Sequence, residues 1–122
     1  MEWRDFTEDD LYWSRCEIQR VLDGDSLLVT FLLAFNQSLR NERCRMAYID
    51  APETWRKSEP GGAEATEWLR DVLARNGNRV VCRTLKSSDK FGRWLIELFV
   101  PEFECSVNME MVRLGLAKKY VV

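Results

Sequence analysis

Three short segments of the chain combine carboxylates and guanidinium groups in a pattern suited to phosphate chemistry. They are Asp23–Ser26, Arg45–Glu53 and Asp89–Arg93. Their acids, above all Asp25, Asp50 and Glu53, supply oxygen ligands of the kind that a hard divalent cation prefers. Arg45 and Arg93 supply planar forks that can bind a phosphate through two hydrogen bonds. Because the sequence contains no histidine, hydrolysis would have to use carboxylates, arginines and, where one binds, a metal ion.

Each segment also has an ordinary structural explanation. Asp23-Gly24 is a common hairpin turn, Pro52 is a common strand terminator, and Asp89–Arg93 has the composition of a hairpin loop. The combination is more informative, since neighbouring strand ends of a small barrel can bring the three acids together. Such acids repel one another unless a cation neutralises them.

Arg45 is a candidate for a partly buried guanidinium. Strand alternation places it on the same face as Ala47 and Ile49, which predicts that part of this face points to the interior. A buried guanidinium needs a partner, and the candidates are carboxylates or a ligand phosphate. A purely structural pair with a nearby acid such as Glu53 is the alternative.

Length and composition limit the classes to which the chain can belong. Its 122 residues are enough for one domain with one modest core. No apolar run approaches the ~18 residues of a membrane-spanning helix, and residues 1–5 do not start a secretory signal. We therefore expect a cytoplasmic protein without a membrane partner. The four cysteines form no C-x-x-C pair, so we expect reduced core thiols rather than a zinc site.

The charge is unevenly divided along the chain. Residues 1–17 hold six acidic and two basic side chains, whereas the remaining 105 residues have a net charge of +2. An acidic leader therefore precedes a mildly basic body. We do not expect strong nonspecific binding to duplex nucleic acid from this balance.

The hydrophobic pattern predicts five short strands and two helices. The strands are expected at Cys16–Val21, Ser26–Leu33, Arg43–Ile49, from Val80, and at Trp94–Val100. Helical spacing predicts the first helix between Gly62 and Gly77 and a short one ending at Gly115. One long helix cannot supply the crossovers of a parallel sheet. We therefore expect an α+β, mainly β fold: a five-stranded OB-fold barrel with two helices in residues 16–122, after an irregular acidic leader in residues 1–15.

The motifs and their order resemble those of the staphylococcal nuclease family, also called thermonucleases. The shared signatures are D-G-D-S, R-x4-D-x-P-E, G-A-E-A, D-K-F-G-R and V-N followed after six residues by G-L-A. They occur in the family's order over nearly the whole range from Cys16 to Val122. The match of the joint pattern is far more specific than that of any single motif.

The resemblance implies a metal-dependent phosphodiesterase on an OB-type barrel. Its usual cofactor would be Ca²⁺, with Mg²⁺ or Mn²⁺ as alternatives, and its substrate DNA or RNA, expected to be single-stranded. Asp25 and Asp50 match the metal-ligating carboxylates. Ala51 matches a position that contributes its backbone carbonyl, so that its side chain should matter little.

The resemblance also implies the catalytic residues. Glu53 matches the carboxylate that positions or deprotonates the attacking water, and Arg45 and Arg93 match the arginines that bind the phosphate. The family's usual reaction breaks the 5′ P–O bond and leaves 3′-phosphates. Glutamate is a weak base, with a reference pKa of ~4.3, so water activation needs help from the site.

Three further positions are implied to bind substrate, and some depart from the family pattern. Lys90 is retained and can bind a terminal phosphate, whereas Phe91 replaces a frequent tyrosine and keeps only the stacking surface. Tyr120 matches a base-stacking tyrosine with a one-residue gap.

The stretch Phe31–Asn41 is longer than in secreted members and is expected to extend a hairpin. The chain stops near Val122, short of the family's C-terminal helix, so we expect a monomer or a weak homodimer.

Two aromatic side chains flank the charged motifs, Trp55 beside Glu53 and Trp94 beside Arg93. Both could stack on bases, although packing is the more common use of such rings.

Three functions remain open at this point. The first is an active metal-dependent nuclease, the second a catalytically inactive OB module that only binds nucleic acid, and the third an interaction domain whose charged cluster is structural.

Overall fold

A closed five-stranded barrel forms the body of the protein, whose computed structural model describes residues 2–54 and 59–120. The elements are β1 (Trp13–Asp23), β2 (Ser26–Leu32), β3 (Ser38–Met46), β4 (Ile49–Asp50), α1 (Gly62–Arg75), β5 (Arg79–Thr84), β6 (Trp94–Phe99), α2 (Val107–Arg113) and β7 (Lys118–Lys119). The barrel order is β1-β2-β3-β6-β5, and a separate two-stranded sheet pairs β4 with β7. This architecture confirms the expected mainly β, OB-type barrel.

The first hairpin follows directly from the sequence. β1 and β2 pair antiparallel, and Asp23 lies opposite Ser26 across the Gly24-Asp25 turn. Gly24 fits a crowded position, since a Cβ there would lie 2.9 Å from the Cβ atoms of both Ala51 and Ala65. A glycine is therefore required where the turn touches the chain beyond β4 and helix α1.

The barrel closes through a parallel pair that the local sequence pattern does not show. β3 runs antiparallel to β2 but parallel to β6, with Arg45 opposite Leu95. This register brings the strand that carries Arg45 beside the strand that starts directly after Arg93. Two of the three charged segments meet as a result.

The expected third strand, Arg43–Ile49, was wrong at both ends. β3 begins earlier, at Ser38, because the Phe31–Asn41 stretch does extend the β2–β3 hairpin, with Leu32 paired to Ser38. It ends at Met46, since Tyr48 adopts a left-handed φ of 67° that no continuous strand accommodates. β4 is therefore a separate short strand, and it pairs with β7 at Asp50 and Lys118.

The two helices close the core. α1 buries the face formed by Ala65, Leu69, Val72 and Leu73, and it ends before Gly77, whose φ is 70°. α2 is capped by Ser106, whose hydroxyl accepts a hydrogen bond from the Met109 amide at 3.1 Å. Both helices confirm the expected helical spans.

The leader and the thiols complete the fold. Two short 3₁₀ helices, Trp3–Asp5 and Glu8–Tyr12, precede β1, which begins at Trp13 rather than at Cys16. Three cysteines are buried in the core and Cys105 is exposed, all four as free thiols. Within residues 2–54 and 59–120, no helix combines the length and apolar character needed to cross a membrane.

Candidate active site

Asp25 lies at the base of the site, at the end of the β1–β2 turn. Its side chain is buried, and its Oδ2 accepts a hydrogen bond from the Ala51 amide at 2.9 Å. Burial raises the pKa of Asp25, although the Ala51 amide and the nearby Arg45 guanidinium act in the opposite direction. A cation bound here would offset this cost of burying a carboxylate.

Arg45 links the two carboxylates that were predicted as metal ligands. Its Nη2 lies 3.7 Å from Asp25 Oδ2 and 3.5 Å from Asp50 Oδ1. The guanidinium is only 14% exposed, and its carbon lies 5.1 Å from the centroid of the Tyr120 ring. Arg45 thus pairs with nearby acids, as the structural alternative expected, but these acids are Asp25 and Asp50 rather than Glu53.

The predicted orientation of Arg45 was wrong. Its neighbours Cys44 and Met46 are the core residues of β3, so Arg45 points to the opposite face of the strand. Ala47 and Ile49 are buried because the strand ends at Met46 and alternation stops there. Arg45 is nevertheless shielded from water, because it lies near the Tyr120 ring and beside Asp25 and Asp50 rather than in the core.

The segment from Ala51 to Thr54 carries Glu53 and is anchored at both ends by the β1–β2 turn. Asp25 binds the Ala51 amide, while Asp23 Oδ1 accepts hydrogen bonds from the Thr54 amide at 2.9 Å and the Thr54 hydroxyl at 2.5 Å. The Glu53 carbonyl accepts a further bond from the Glu59 amide at 2.9 Å. The Glu53 side chain is exposed, so the backbone is fixed while the carboxylate faces solvent.

The loop between β5 and β6 orients Arg93. Asp89 Oδ2 lies 2.8 Å from Arg93 Nε, and Asp89 Oδ1 accepts bonds from the amides of Phe91 and Arg93. Burial alone would raise the pKa of Asp89, but these two amides and the Arg93 guanidinium hold it below its usual value. Among residues 2–54 and 59–120, the side-chain hydrogen bond of Arg93 is made by Nε, so within this part of the chain the terminal nitrogens remain available to a ligand.

Phe91 presents an exposed ring between two cations. It is 63% exposed, with Lys90 Nζ 5.2 Å and the Arg93 guanidinium carbon 5.5 Å from its centroid. Both distances are within the range of cation–π attraction. An exposed ring with adjacent positive charge is suited to an unpaired base and its phosphate.

Two neighbouring clefts share this ring and Arg93. The first, of about 540 Å³ and here called the arginine cleft, contains most of the predicted site. The second, of about 490 Å³ and here called the glutamate cleft, contains Glu53 and is lined also by Asp23, Ser26 and Arg43. The residues of the arginine cleft that the sequence predicted are Arg45, Asp50, Lys90, Phe91, Arg93 and Tyr120.

The predicted metal ligands can be tested against this geometry. Asp25 and Asp50 flank one guanidinium nitrogen, and Ala51 follows Asp50 directly, with only its backbone carbonyl to offer. In the part of the chain that the structure describes, no group of three or more histidine, cysteine or acidic side chains is arranged to hold a metal. Asp25 and Asp50 are therefore two carboxylates that meet at Arg45, and carboxylate oxygens are ligands of the kind that Ca²⁺ and Mg²⁺ prefer.

Sequence reasoning missed the anchoring role of Asp23 and the structural role of Asn108. Asn108 is fully buried, and its amide nitrogen donates to the carbonyl of Ala47, directly after β3, and to the carbonyl of Ile96 within β6, each at 2.9 Å. Both residues belong to recognised motifs, yet neither motif indicates what the side chain binds.

Of the two flanking tryptophans, Trp55 lies outside the described residues. Trp94 packs edge-on against Phe31 and binds Glu42 through its indole nitrogen. Packing, rather than base stacking, is therefore the role that its contacts indicate.

The closed barrel and the cleft that Arg45, Lys90 and Arg93 line define the class as a small OB-type domain with a positively charged cleft. A family model described as "Staphylococcal nuclease homologue" matches residues 43–122. The chain belongs to the staphylococcal nuclease family. The match begins after Asp25, so the strands that bring Asp23 and Asp25 to the site lie outside it.

A curated relative supports the same relationship. The chain is 38% identical over 81 residues to a protein of Colletotrichum graminicola (strain M1.001 / M2 / FGSC 10212) described as "Probable endonuclease LCL3". The alignment covers 62% of this chain and 29% of the relative. The chain therefore spans less than a third of that protein's length.

Proposed function

We propose that this domain is a divalent-cation-dependent nuclease that hydrolyses phosphodiester bonds of DNA or RNA, with Ca²⁺ as the first candidate cofactor and Mg²⁺ or Mn²⁺ as alternatives. The observation that carries the proposal is the arginine cleft, where Arg45, Arg93 and Lys90 converge beside Asp50. Glu53 faces the adjoining cleft next to Arg93. Membership of a nuclease family and similarity to a probable endonuclease support the same activity.

The cation would be held by Asp25, Asp50 and the Ala51 carbonyl. When bound, it supplies positive charge that stabilises the phosphate oxygens as negative charge builds up. The hydrogen bond from the Ala51 amide holds the Asp25 carboxylate in place for this role. Arg45 pairs with both Asp25 and Asp50 and so holds the two carboxylates close together.

The protein's own residues account for the rest of the reaction. Glu53 accepts a proton from a water molecule whose oxygen attacks phosphorus, and the bond from phosphorus to the 5′ oxygen breaks. The leaving 5′ oxygen takes a proton from solvent, and the phosphate stays on the 3′ oxygen of the other product. Arg45 and Arg93 bind the equatorial oxygens more strongly in the transition state, because charge on those oxygens increases there.

We further propose a preference for single-stranded substrate. Phe91 and Tyr120 both line the arginine cleft, and they are 63% and 48% exposed. Unpaired bases can stack on such rings, whereas paired bases in a duplex cannot reach them, and stacking contributes about 1–3 kcal/mol per base. The cytoplasmic location and the monomeric or weakly dimeric state stay predictions from the sequence.

The proposal is tested by cleavage of single-stranded DNA, single-stranded RNA and plasmid in Ca²⁺, in Mg²⁺, in Mn²⁺ and in chelator. We expect metal-dependent cleavage that leaves 3′-phosphates, and a fall of about 100-fold or more in Glu53→Gln and Arg93→Lys. Arg79→Lys is the matched control, because Arg79 pairs with Glu17 on the barrel wall. Absence of metal-dependent cleavage would contradict the proposal that the domain is an enzyme. Undiminished cleavage by both variants would contradict the roles proposed for Glu53 and Arg93.

A second candidate function is favoured by the surroundings of Phe91. An exposed ring between two cations would serve nucleic-acid binding without any chemistry. The same experiment separates the two functions. A gel shift with single-stranded DNA in the absence of any cleavage would identify an inactive binding module.

A further inference from the structure

Arg43 is a cleft guanidinium that the proposed reaction does not use. It lies two positions before Arg45 on β3, so both side chains leave the same face of the strand. In the described part of the chain no carboxylate oxygen lies within 4.0 Å of Arg43, whereas Arg45 pairs with Asp25 and Asp50. The contact of its Nη2 is a long one, 3.5 Å to the Phe91 carbonyl. Its charge is therefore available to an anion from outside.

The position of Arg43 indicates which anion this would be. Arg43 lines the glutamate cleft, which Phe91 and Arg93 separate from the arginine cleft. Asp23 and Glu53 line it as well, but the Asp23 carboxylate is engaged by Thr54. A polynucleotide whose reacting phosphate lies at Arg93 would therefore continue past Phe91 toward Arg43.

The spacing along β3 supports a second phosphate. Side chains two positions apart on a strand leave it about 6.6–6.8 Å apart, which is comparable to the separation of neighbouring phosphates along an extended single strand. Arg45 serves the arginine cleft and Arg43 the glutamate cleft. The two clefts are thus placed to receive consecutive phosphates.

We propose that Arg43 binds the phosphate next to the reacting one and so makes the site selective for polynucleotides over substrates with a single phosphate. This inference rests on the proposed function. The class of ligand is an extended single-stranded DNA or RNA with at least two consecutive phosphodiesters. Arg43 takes no part in bond cleavage.

The test compares two substrates in Arg43→Gln. One is a dinucleotide with a single phosphodiester and no terminal phosphate, and the other is a single-stranded oligonucleotide of about twelve nucleotides. We expect kcat/KM on the oligonucleotide to fall about 5- to 10-fold, the size of a charged hydrogen bond at an exposed site, with no change on the dinucleotide. The slope of log kcat/KM against log salt should decrease by about 0.7, the value for one phosphate contact on a single strand.

Arg40→Gln is the matched control, because Arg40 is an exposed arginine on the same strand that lines neither cleft. It should leave both substrates and the salt slope unchanged. An equal loss on both substrates in Arg43→Gln, or an unchanged salt slope, would overturn the proposal. If the unmodified protein cleaves neither substrate, the proposed function fails. The binding of the oligonucleotide and of the dinucleotide, measured by fluorescence anisotropy in wild type and in Arg43→Gln, then still decides whether Arg43 binds a second phosphate.

Discussion

Asp23 holds Thr54 by two hydrogen bonds to a single oxygen, one from the backbone amide at 2.9 Å and one from the hydroxyl at 2.5 Å. Asp25 holds the Ala51 amide by one hydrogen bond, at 2.9 Å. Asp23 and Asp25, at the turn between β1 and β2, therefore fix the position of the segment from Ala51 to Thr54, which contains Glu53. A motif that could be only a hairpin turn sets the position of a proposed catalytic group in another segment.

Removing the Thr54 hydroxyl should affect turnover more than substrate binding. Thr54→Val keeps the shape and the amide but loses the shorter bond to Asp23, so the backbone beside Glu53 becomes less well fixed. We expect kcat to fall about 10-fold with little change in KM, because small displacements of a reacting group are costly. Steady-state kinetics of Thr54→Val and Thr54→Ser check this, and Ser should retain the wild-type kcat. A rise in KM at constant kcat would contradict a positioning role.

The effect of Ca²⁺ on thermal unfolding should show whether Asp25 is a metal ligand. Asp25→Asn keeps an acceptor for the Ala51 amide but removes a buried charge, so in chelator the variant should be at least as stable as wild type. Free Ca²⁺ at about 100 times its Kd should stabilise wild type by about 2.7 kcal/mol and leave the variant unchanged. Asp71→Asn, on the exposed face of α1, should respond to Ca²⁺ as wild type does. Equal stabilisation of Asp25→Asn would exclude Asp25 as a ligand.

The sequence was sufficient for those parts of the fold that local physics decides. The β1–β2 hairpin at Gly24, helix α1 and its end at Gly77 follow from turn chemistry, apolar spacing and left-handed glycine conformations. The end of β3 could not be predicted, because it depends on the left-handed Tyr48.

The residues of the site could be named from their motifs, but their partners could not. Arg45 meets Asp25 because the β2–β3 pairing sets Arg45 opposite Ser26, and it meets Asp50 because the chain turns at the left-handed Tyr48. The first is a contact between distant parts of the chain, and the second depends on a turn that the sequence pattern does not show. The bond from Asp23 to Thr54 is of the first kind. Periodicity and spacing report on neighbours along the chain and carry no information on such pairs.

Asn108 should be among the residues most important for stability. Its amide nitrogen binds the carbonyls of Ala47 and Ile96 and its oxygen accepts from the Leu98 amide at 3.1 Å, all in the buried core. Asn108→Ala leaves these groups without partners, so we expect a loss of about 2–4 kcal/mol in the free energy of unfolding in urea. Asn76→Ala, whose amide bonds lie at the partly exposed end of α1, should cost about 1 kcal/mol or less. Similar losses in the two variants would be evidence against this role.

Asp89 should make the free energy of unfolding depend on pH in the acidic range. Its pKa in the folded protein lies below the usual value, so its stabilising contribution is complete above the unfolded value of about 3.9 and is lost as the pH falls through the lower folded value. Asp89→Asn should therefore lower the free energy of unfolding by about 1–3 kcal/mol near pH 6, with the difference from wild type shrinking as the pH falls below the unfolded value. Urea unfolding near pH 6 and at a series of lower pH values measures this. A difference that stays constant or grows at the lower pH would contradict the assignment.

The parallel pairing of β3 with β6 also determines when the charged cluster of the site is completed during folding. Arg45 and Leu95 lie opposite each other although nearly half the chain separates them, so the entropy of closing that loop opposes the contact until other structure has formed. Asp25, in the turn before β2, reaches Arg45 through the antiparallel β2–β3 pair. Arg93 joins them only when β6 closes the barrel, so a half-folded or nascent chain lacks the complete charged cluster.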